Sequence, residues 1–300
     1  MFHVLTQNIL PVFAMLALGF LLGRTGKVTN AEAAAVNRIS FLVLQPALIF
    51  PLINSLEWSD FRPDAIANYA GCQVVLFAAT FLMLRYVIRR PVPEAWLLGM
   101  AVIFVNTLLY VWPISFLIYG ETAAVPITGI VAWDTAFTFA FFIISTELLV
   151  GRKASIASSL GGVFCNPVLV AILLGSITNT LSLDVPQPLL TAMDFAGAGA
   201  APLTLFALGV ILSGHKLRMT KTIAIVSSLK LFAFPLLVFA ALQIGERPPN
   251  WNNMLILTSA GPSGAMAFAL ALLHGVRTDQ IAPVIIWTSV ISVFSLALLA

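Results

Sequence analysis

Apolar residues fall into long blocks along this chain, separated by short breaks of charge, glycine and proline. Ten blocks can be read, approximately 7–23, 39–56, 65–88, 95–119, 126–150, 156–177, 188–213, 222–244, 251–274 and 280–300. A helix crossing roughly 30 Å of hydrocarbon needs about 20 mostly apolar residues, so each block predicts one membrane-spanning helix. The intervening loops, about ten residues each, leave no room for an extramembranous domain. Arg24 and Lys27 follow the first block instead of preceding it, which is the wrong order for a cleaved signal peptide.

Composition fixes the solvent for these blocks. The chain has 300 residues, 60% apolar and only 9% charged, with a mean hydropathy of +1.02. Soluble domains carry about a quarter charged residues, so a soluble globule is excluded. Disorder is excluded too, since it requires low hydrophobicity. The net charge of +3 is scattered over short loops, which rules out a nucleic-acid reader. The expectation is a multi-pass integral membrane protein whose solvent partner is lipid.

The loop charges set an expected orientation. Loops 1–2, 3–4, 5–6, 7–8 and 9–10 hold twelve basic residues: Arg24, Lys27, Arg38; Arg85, Arg89, Arg90; Arg152, Lys153; Lys216, Arg218, Lys221; and Arg277. The opposite loops hold Arg62 and Arg247, and Lys230 lies inside a span. Positive residues mark the cytoplasmic side, so both termini are expected outside, in a bacterial inner membrane. The acidic run Glu57, Asp60, Asp64 then faces outward as a solvated loop.

A shift of 156 residues pairs Pro11 with Pro167, Pro46 with Pro202 and Pro93 with Pro249. It also pairs Gly19 with Gly175 and Phe50 with Phe206. That length holds five spans, and an odd number forces the second copy to insert upside down. The expected fold is therefore all-α, ten transmembrane helices in two inverted five-helix repeats, 1–153 and 154–300. Such repeats characterise secondary transporters, with the substrate near the midplane.

Interrupted spans at corresponding places point to that site. Span four reads AVIFVNTLLYVWPISFLIYG, with Asn106, Thr107 and Pro113 in its middle. Span nine reads LTSAGPSGAMAFALALLHG, with Ser259, Gly261, Pro262, Ser263 and Gly264. Proline removes a backbone donor and crowds the preceding turn, so it breaks or kinks a helix. Two breaks crossing at the midplane would aim half-helix N-termini at an anion. The alternative is a pair of kinked packing helices.

Two ionisable residues lie deep in spans. Asp134 follows Pro126 by eight residues, about 12 Å from the outer end of span five. Lys230 follows Lys221 by nine, about 13–14 Å from the inner end of span eight. They could meet near the midplane and bind a proton or cation in competition with each other, or form a structural salt bridge. Asp194 and Glu147 sit near span ends. Cys72 and Cys165 are isolated packing residues, and His3, His215 and His274 are too far apart for a metal site. No nucleotide-binding or hydrolase motif is present, so no metal, cofactor or enzymatic activity is expected.

Four segments, LVLQPALIF, CNPVLVAILLG, AAPLTLFALGVILSGHKLRMTK and LKLFAFP, resemble the auxin efflux carrier family, whose bacterial members include malonate and related organic-acid transporters. The resemblance runs over essentially the whole chain. Span four is similar to the family's asparagine-containing crossover, although Val105, Leu108, Leu109 and Tyr110 stand where glycines usually flank the asparagine. The resemblance implies the bile-acid-symporter fold: spans 1, 2, 6 and 7 form a panel, spans 3–5 and 8–10 a core, and broken spans 4 and 9 cross. Lys230 falls on the family's span-eight lysine, whereas Asp134 matches no family motif.

The expected function is secondary transport of a small organic anion, a mono- or dicarboxylate. Its substrate-binding set is Asn106, Thr107, Pro113, Pro262, Ser263 and Gly264. Carboxylate bonds are expected from Asn106, Thr107, Ser263 and freed backbone amides. Lys230 would balance charge and Asp134 would accept a coupling proton; a sodium-coupled symporter is the alternative. A membrane sensor and a membrane enzyme are weaker readings, and a homodimer is left open as a partner state.

Overall fold

The computed structural model describes residues 2–150, 161 and 165–299. Arg152, Lys153, the 153/154 repeat boundary and the first residues of the expected sixth span lie outside them. The described residues are helical, with one isolated antiparallel bridge between Val105 and Ser263. In chain order the helices are α1 (Phe2–Arg24), α2 (Asn30–Asn54), α3 (Pro63–Val87), α4 (Val92–Ile103), α5 (107–119) and α6 (124–150). Then come α7 (Pro167–Thr180), α8 (Gln187–Ser213), α9 (Lys221–Leu242), α10 (Pro249–Ser259), α11 (Met266–Leu273) and α12 (Ile281–Leu299).

Among the described residues seven helical runs are long and apolar enough to cross a membrane. One of them, Thr107–Val150, doubles back at Gly120, whose φ of 59° is in the left-handed region that glycine adopts without strain. The shorter pieces α4, α10 and α11 are the products of two interruptions.

Sequence signals set the helix ends. Proline opens α3, α4, α7 and α10 at positions where no N–H is needed. Thr29 and Glu32 form a reciprocal capping box at α2, and the Asn166 side chain accepts from Val168 and Leu169 at α7. Of six turns that widen to i→i−5 bonding among the described residues, four are Leu5–Ile9, Ser40–Leu44, Thr107–Val111 and Leu229–Ala233. Each of these four precedes a proline by two residues, at Pro11, Pro46, Pro113 and Pro235. The proline ring crowds the carbonyl one turn back, and the residue before it reaches one position further.

The helices pack in two groups. In the first, α1 lies along the second half of α8, α7 lies along the second half of α2, and the first half of α8 also touches α2. In the second, α3 packs on α4 and α9, α9 on α10 and α12, α10 on α6, and α11 on α4. A methyl group at Gly19 would stand 2.0 Å from the Phe206 carbonyl oxygen, and one at Gly175 would stand 3.0 Å from that of Phe50. These two contacts exchange under the 156-residue shift. Glycine at both places lets backbones approach where lipid offers no driving force for association other than close packing.

Candidate functional site

Both interruptions fall where the sequence places proline, glycine and asparagine. α4 ends at Ile103, Phe104 is extended, and the helix resumes at Thr107. α10 ends at Ser259 and α11 begins at Met266. The two gaps bond to each other: the Asn106 N–H donates to the Pro262 carbonyl at 3.0 Å, and the Gly264 N–H to the Phe104 carbonyl at 2.8 Å. Backbone groups released by the breaks are thus satisfied by one another, as a low-dielectric interior requires. A methyl group at Gly264 would sit 2.5 Å from the Phe104 ring and 3.1 Å from the Val105 carbonyl oxygen. The joint admits only glycine there.

The cut helix ends also recruit side chains. The Ser263 hydroxyl donates to the Ala101 carbonyl at 2.6 Å, and the Ser263 N–H donates to the Thr288 hydroxyl at 3.1 Å. Lys230, with no exposed surface, donates from Nζ to the Ser259 carbonyl at 2.8 Å, at the last residue of α10. Its ammonium also stands 4.8 Å from the Phe234 ring centre. Asp134, 2% exposed, accepts from the Thr107 hydroxyl at 3.0 Å, at the first residue of α5. It accepts from Gln73 Nε2 at 2.8 Å on its other oxygen. Both charged residues sit in widened turns, Asp134–Phe139 and Leu229–Ala233.

The charge arrangement follows helix electrostatics. A helix C-terminus carries partial negative charge and attracts a cation, while an N-terminus attracts an anion. Lys230 meets the first kind of end and Asp134 the second. Among the described residues no ion pair joins the two. Each is held by a different half-helix.

A cavity of about 800 Å³ reaches from the breaks to Arg38, Glu147 and His274. Asn106, Thr107, Asp134 and Gly264 line it, facing Gln45 and Thr204 of the first helix group. The first N–H groups of α5 and α11 have no acceptor within their own helices, and Thr107, Leu108, Ala265 and Met266 belong to the wall. Pro262 and Ser263 are buried in the joint, outside that lining. The Ser263 hydroxyl hydrogen is committed to the orphaned end of α4, at the Ala101 carbonyl. Pro113 also lies outside the lining, where it widens the first turn of α5. Lys230 stands behind the wall at α10.

The opposite end is packed shut. The Phe61 ring meets Trp58 and Trp251 edge-on at 5.7 and 5.8 Å, and Trp251 Nε1 donates to the Asp60 carbonyl at 3.1 Å. Asp64, from the acidic loop, pairs with Arg247 at 2.8 Å and Arg62 at 3.1 Å.

Comparison with known proteins finds transport proteins. Residues 152–300 match the family described as membrane transport protein. The chain is 28% identical over 297 residues to the "Putative malonate transporter" of Rhizobium meliloti (strain 1021), covering 96% of this chain and 92% of that one. It is 25% identical over 300 residues to an "Uncharacterized transporter" of Methanothermobacter thermautotrophicus, covering 98% and 96%. The family match and both relatives point to a membrane transport protein. The chain is not an enzyme, and the resemblance to the auxin efflux carrier family read from the sequence is borne out.

Sequence reading of this transport protein missed Gln73, whose side chain holds Asp134. An amide in the middle of the apolar block 65–88, which also holds Asn68, was the available signal. It also missed Gln45 and Thr204, which share a buried polar patch with Ser40. The histidines and cysteines stay apart: His215 packs on Phe268, Cys72 is buried, and Cys165 is exposed. Among the described residues no metal-binding cluster forms.

Proposed function

We propose that the protein is a secondary transporter that carries a small carboxylate by alternating access. The single observation that supports this most is the hydrogen-bonded joint of two interrupted helices at the head of a large cavity, where two helix N-termini meet the wall. Partial positive charge and unpartnered N–H groups there suit a carboxylate. Asn106 and Thr107 bind it with the free amides of α5 and α11. Pro262, Ser263 and Gly264 hold the joint, and Pro113 shapes the turn behind it. The malonate named for the Rhizobium relative makes malonate the first substrate to test.

In this reading the chain forms ten spans in two inverted repeats, 1–153 and 154–300. The contacts exchanged between Gly19–Phe206 and Gly175–Phe50 support that symmetry. The first helix group is the panel, the second the moving core. The termini lie outside a bacterial inner membrane. The cavity then faces the cytoplasm, and the Trp58–Phe61–Trp251 cluster closes the outer side. Transport opens that cluster as the core moves against the panel.

Asp134 is the coupling-proton site and Lys230 the fixed counter-charge. Both Asp134 oxygens face hydrogen-bond donors, Gln73 Nε2 and the Thr107 hydroxyl, and not a ring of further oxygens such as a sodium ion would need. Uptake of labelled malonate into proteoliposomes tests this. Expected are uptake driven by an inward proton gradient, no response to sodium, and loss of proton coupling in Asp134→Asn. Sodium-driven uptake would replace the proton mechanism, and absence of flux with every carboxylate tried would remove the carrier reading.

A further inference from the structure

We infer that Gln73 is a positioning residue that clamps the Asp134 carboxylate to the broken end of α4. Gln73 lies in α3 and is 3% exposed. Its Nε2 donates to Asp134 Oδ1 at 2.8 Å and to the Ile103 carbonyl, the last residue of α4, at 3.3 Å. Its Oε1 accepts from Trp133 Nε1 at 2.8 Å and from the Thr138 hydroxyl at 3.4 Å. A buried amide offers two donors and two acceptor sites, and all four are engaged. The partners fix the amide orientation, since a flipped amide would face carboxylate and carbonyl with an oxygen and the indole with a nitrogen.

Gln73 and its four partners belong to three places. Ile103 ends one half-helix, Trp133 stands just before the widened turn that carries Asp134 and Thr138, and α3 supplies the amide. Thr107, at the start of the other half-helix, bonds the second Asp134 oxygen. The carboxylate is thereby tied to both sides of the α4–α5 break, through Gln73 on one and Thr107 on the other. A buried network satisfied at every member holds one geometry, whereas loss of one member leaves several unpaired groups. Gln73 thus couples the position of Asp134 to the backbone that forms the cavity head.

This inference rests in part on the transport reading, so its test has two readouts, malonate uptake and melting temperature of the detergent-purified protein. Wild type, Gln73→Leu, Asp134→Asn and the double variant form a cycle. Gln73→Leu is expected to slow uptake by about 10-fold or more, the scale of lost hydrogen bonds to a charge. In the Asp134→Asn background the same change is expected to add less than about 2-fold, and the melting shifts are expected to be non-additive in the same sense. Independent effects in both readouts would overturn the clamp. If wild type moves none of the carboxylates tried, the carrier reading fails by itself and the melting cycle decides on Gln73.

Gln73→Glu keeps the shape and replaces the donor with a second carboxyl beside Asp134. The titratable groups around it are Asp134 on α6, Tyr69 and Cys72 on its own helix, and Lys230, within electrostatic reach of Asp134. Two adjacent carboxyls share a proton, which restores a donor between them as pH falls. Uptake by Gln73→Glu, corrected for the wild-type profile, is expected to be weak near about pH 8 and to recover toward about pH 5. A profile parallel to wild type would show a packing role only and would overturn the inference.

Discussion

The two interruptions solve one physical problem in different ways. The α4–α5 gap spans residues 104–106, and its released carbonyls at Ala101, Ile103 and Phe104 are taken by Ser263, Gln73 and the Gly264 N–H. Among the described residues no charge touches that C-terminal end; the buried charge, Asp134, sits at the N-terminal end of α5. The α10–α11 gap is longer, residues 260–265, and its C-terminal end is met by the ammonium of Lys230. One break is thus neutralised by an anion at a helix start, the other by a cation at a helix end. The difference teaches that a buried charge here is matched to a backbone dipole first. The two depths allowed an Asp–Lys pair, yet each side chain finds a nearer partner of opposite partial charge.

The joint itself is the most sensitive point of this comparison. Gly264→Val places atoms where a Phe104 ring carbon stands 2.5 Å from the first added carbon. Overpacking on that scale costs about 3 kcal/mol, so a clear drop in melting temperature and loss of uptake are expected. An unshifted melt with normal uptake would mean that the gaps do not bond as described.

Lys230→Met separates the roles of the two charges. Removing a buried charge also removes its desolvation cost, so the melting temperature is expected to stay within a few degrees of wild type. Uptake is expected to fall about 100-fold, the upper range for one charged hydrogen bond. A melt that collapses with unchanged specific uptake would make Lys230 a purely structural cap.

Smaller effects sharpen the anionic side. Thr107→Val keeps the shape but deletes the donor to Asp134, for an expected uptake loss of about 10-fold. Wild-type uptake would show that the hydroxyl does not support the carboxylate. Pro113→Ala returns an N–H to α5 and lets its first turn tighten. Stability is expected to move by less than about 1 kcal/mol and uptake by less than about 3-fold. A larger loss of uptake would give Pro113 the direct role in the site that its position behind the wall argues against.

Much of this was legible along the chain. Apolar blocks predicted the long helices because hydrocarbon leaves the backbone no alternative. Gly261, Pro262 and Gly264 marked one gap, and Asn106 the other, because these residues either lack a side chain, lack an N–H or tolerate unwound backbone. The depth of Asp134 and Lys230 was readable by counting residues. Pro113 and Ser263 were legible only as residue types. Whether a proline lines a cavity or widens the turn behind it, and whether a hydroxyl faces a ligand or a stranded carbonyl, depends on a neighbouring helix.

By itself the sequence determined the membrane as solvent, the helices and the places where they break, since these follow from local hydrophobicity and backbone chemistry. Tertiary structure alone decided that Lys230 meets Ser259, that Asp134 meets Thr107 and Gln73, and that a cavity opens beside the joint. These partners are 29, 27 and 61 residues apart in the chain. Hydrogen bonds and dipoles act over a few ångströms, so which distant groups share that space is fixed only once the helices have packed.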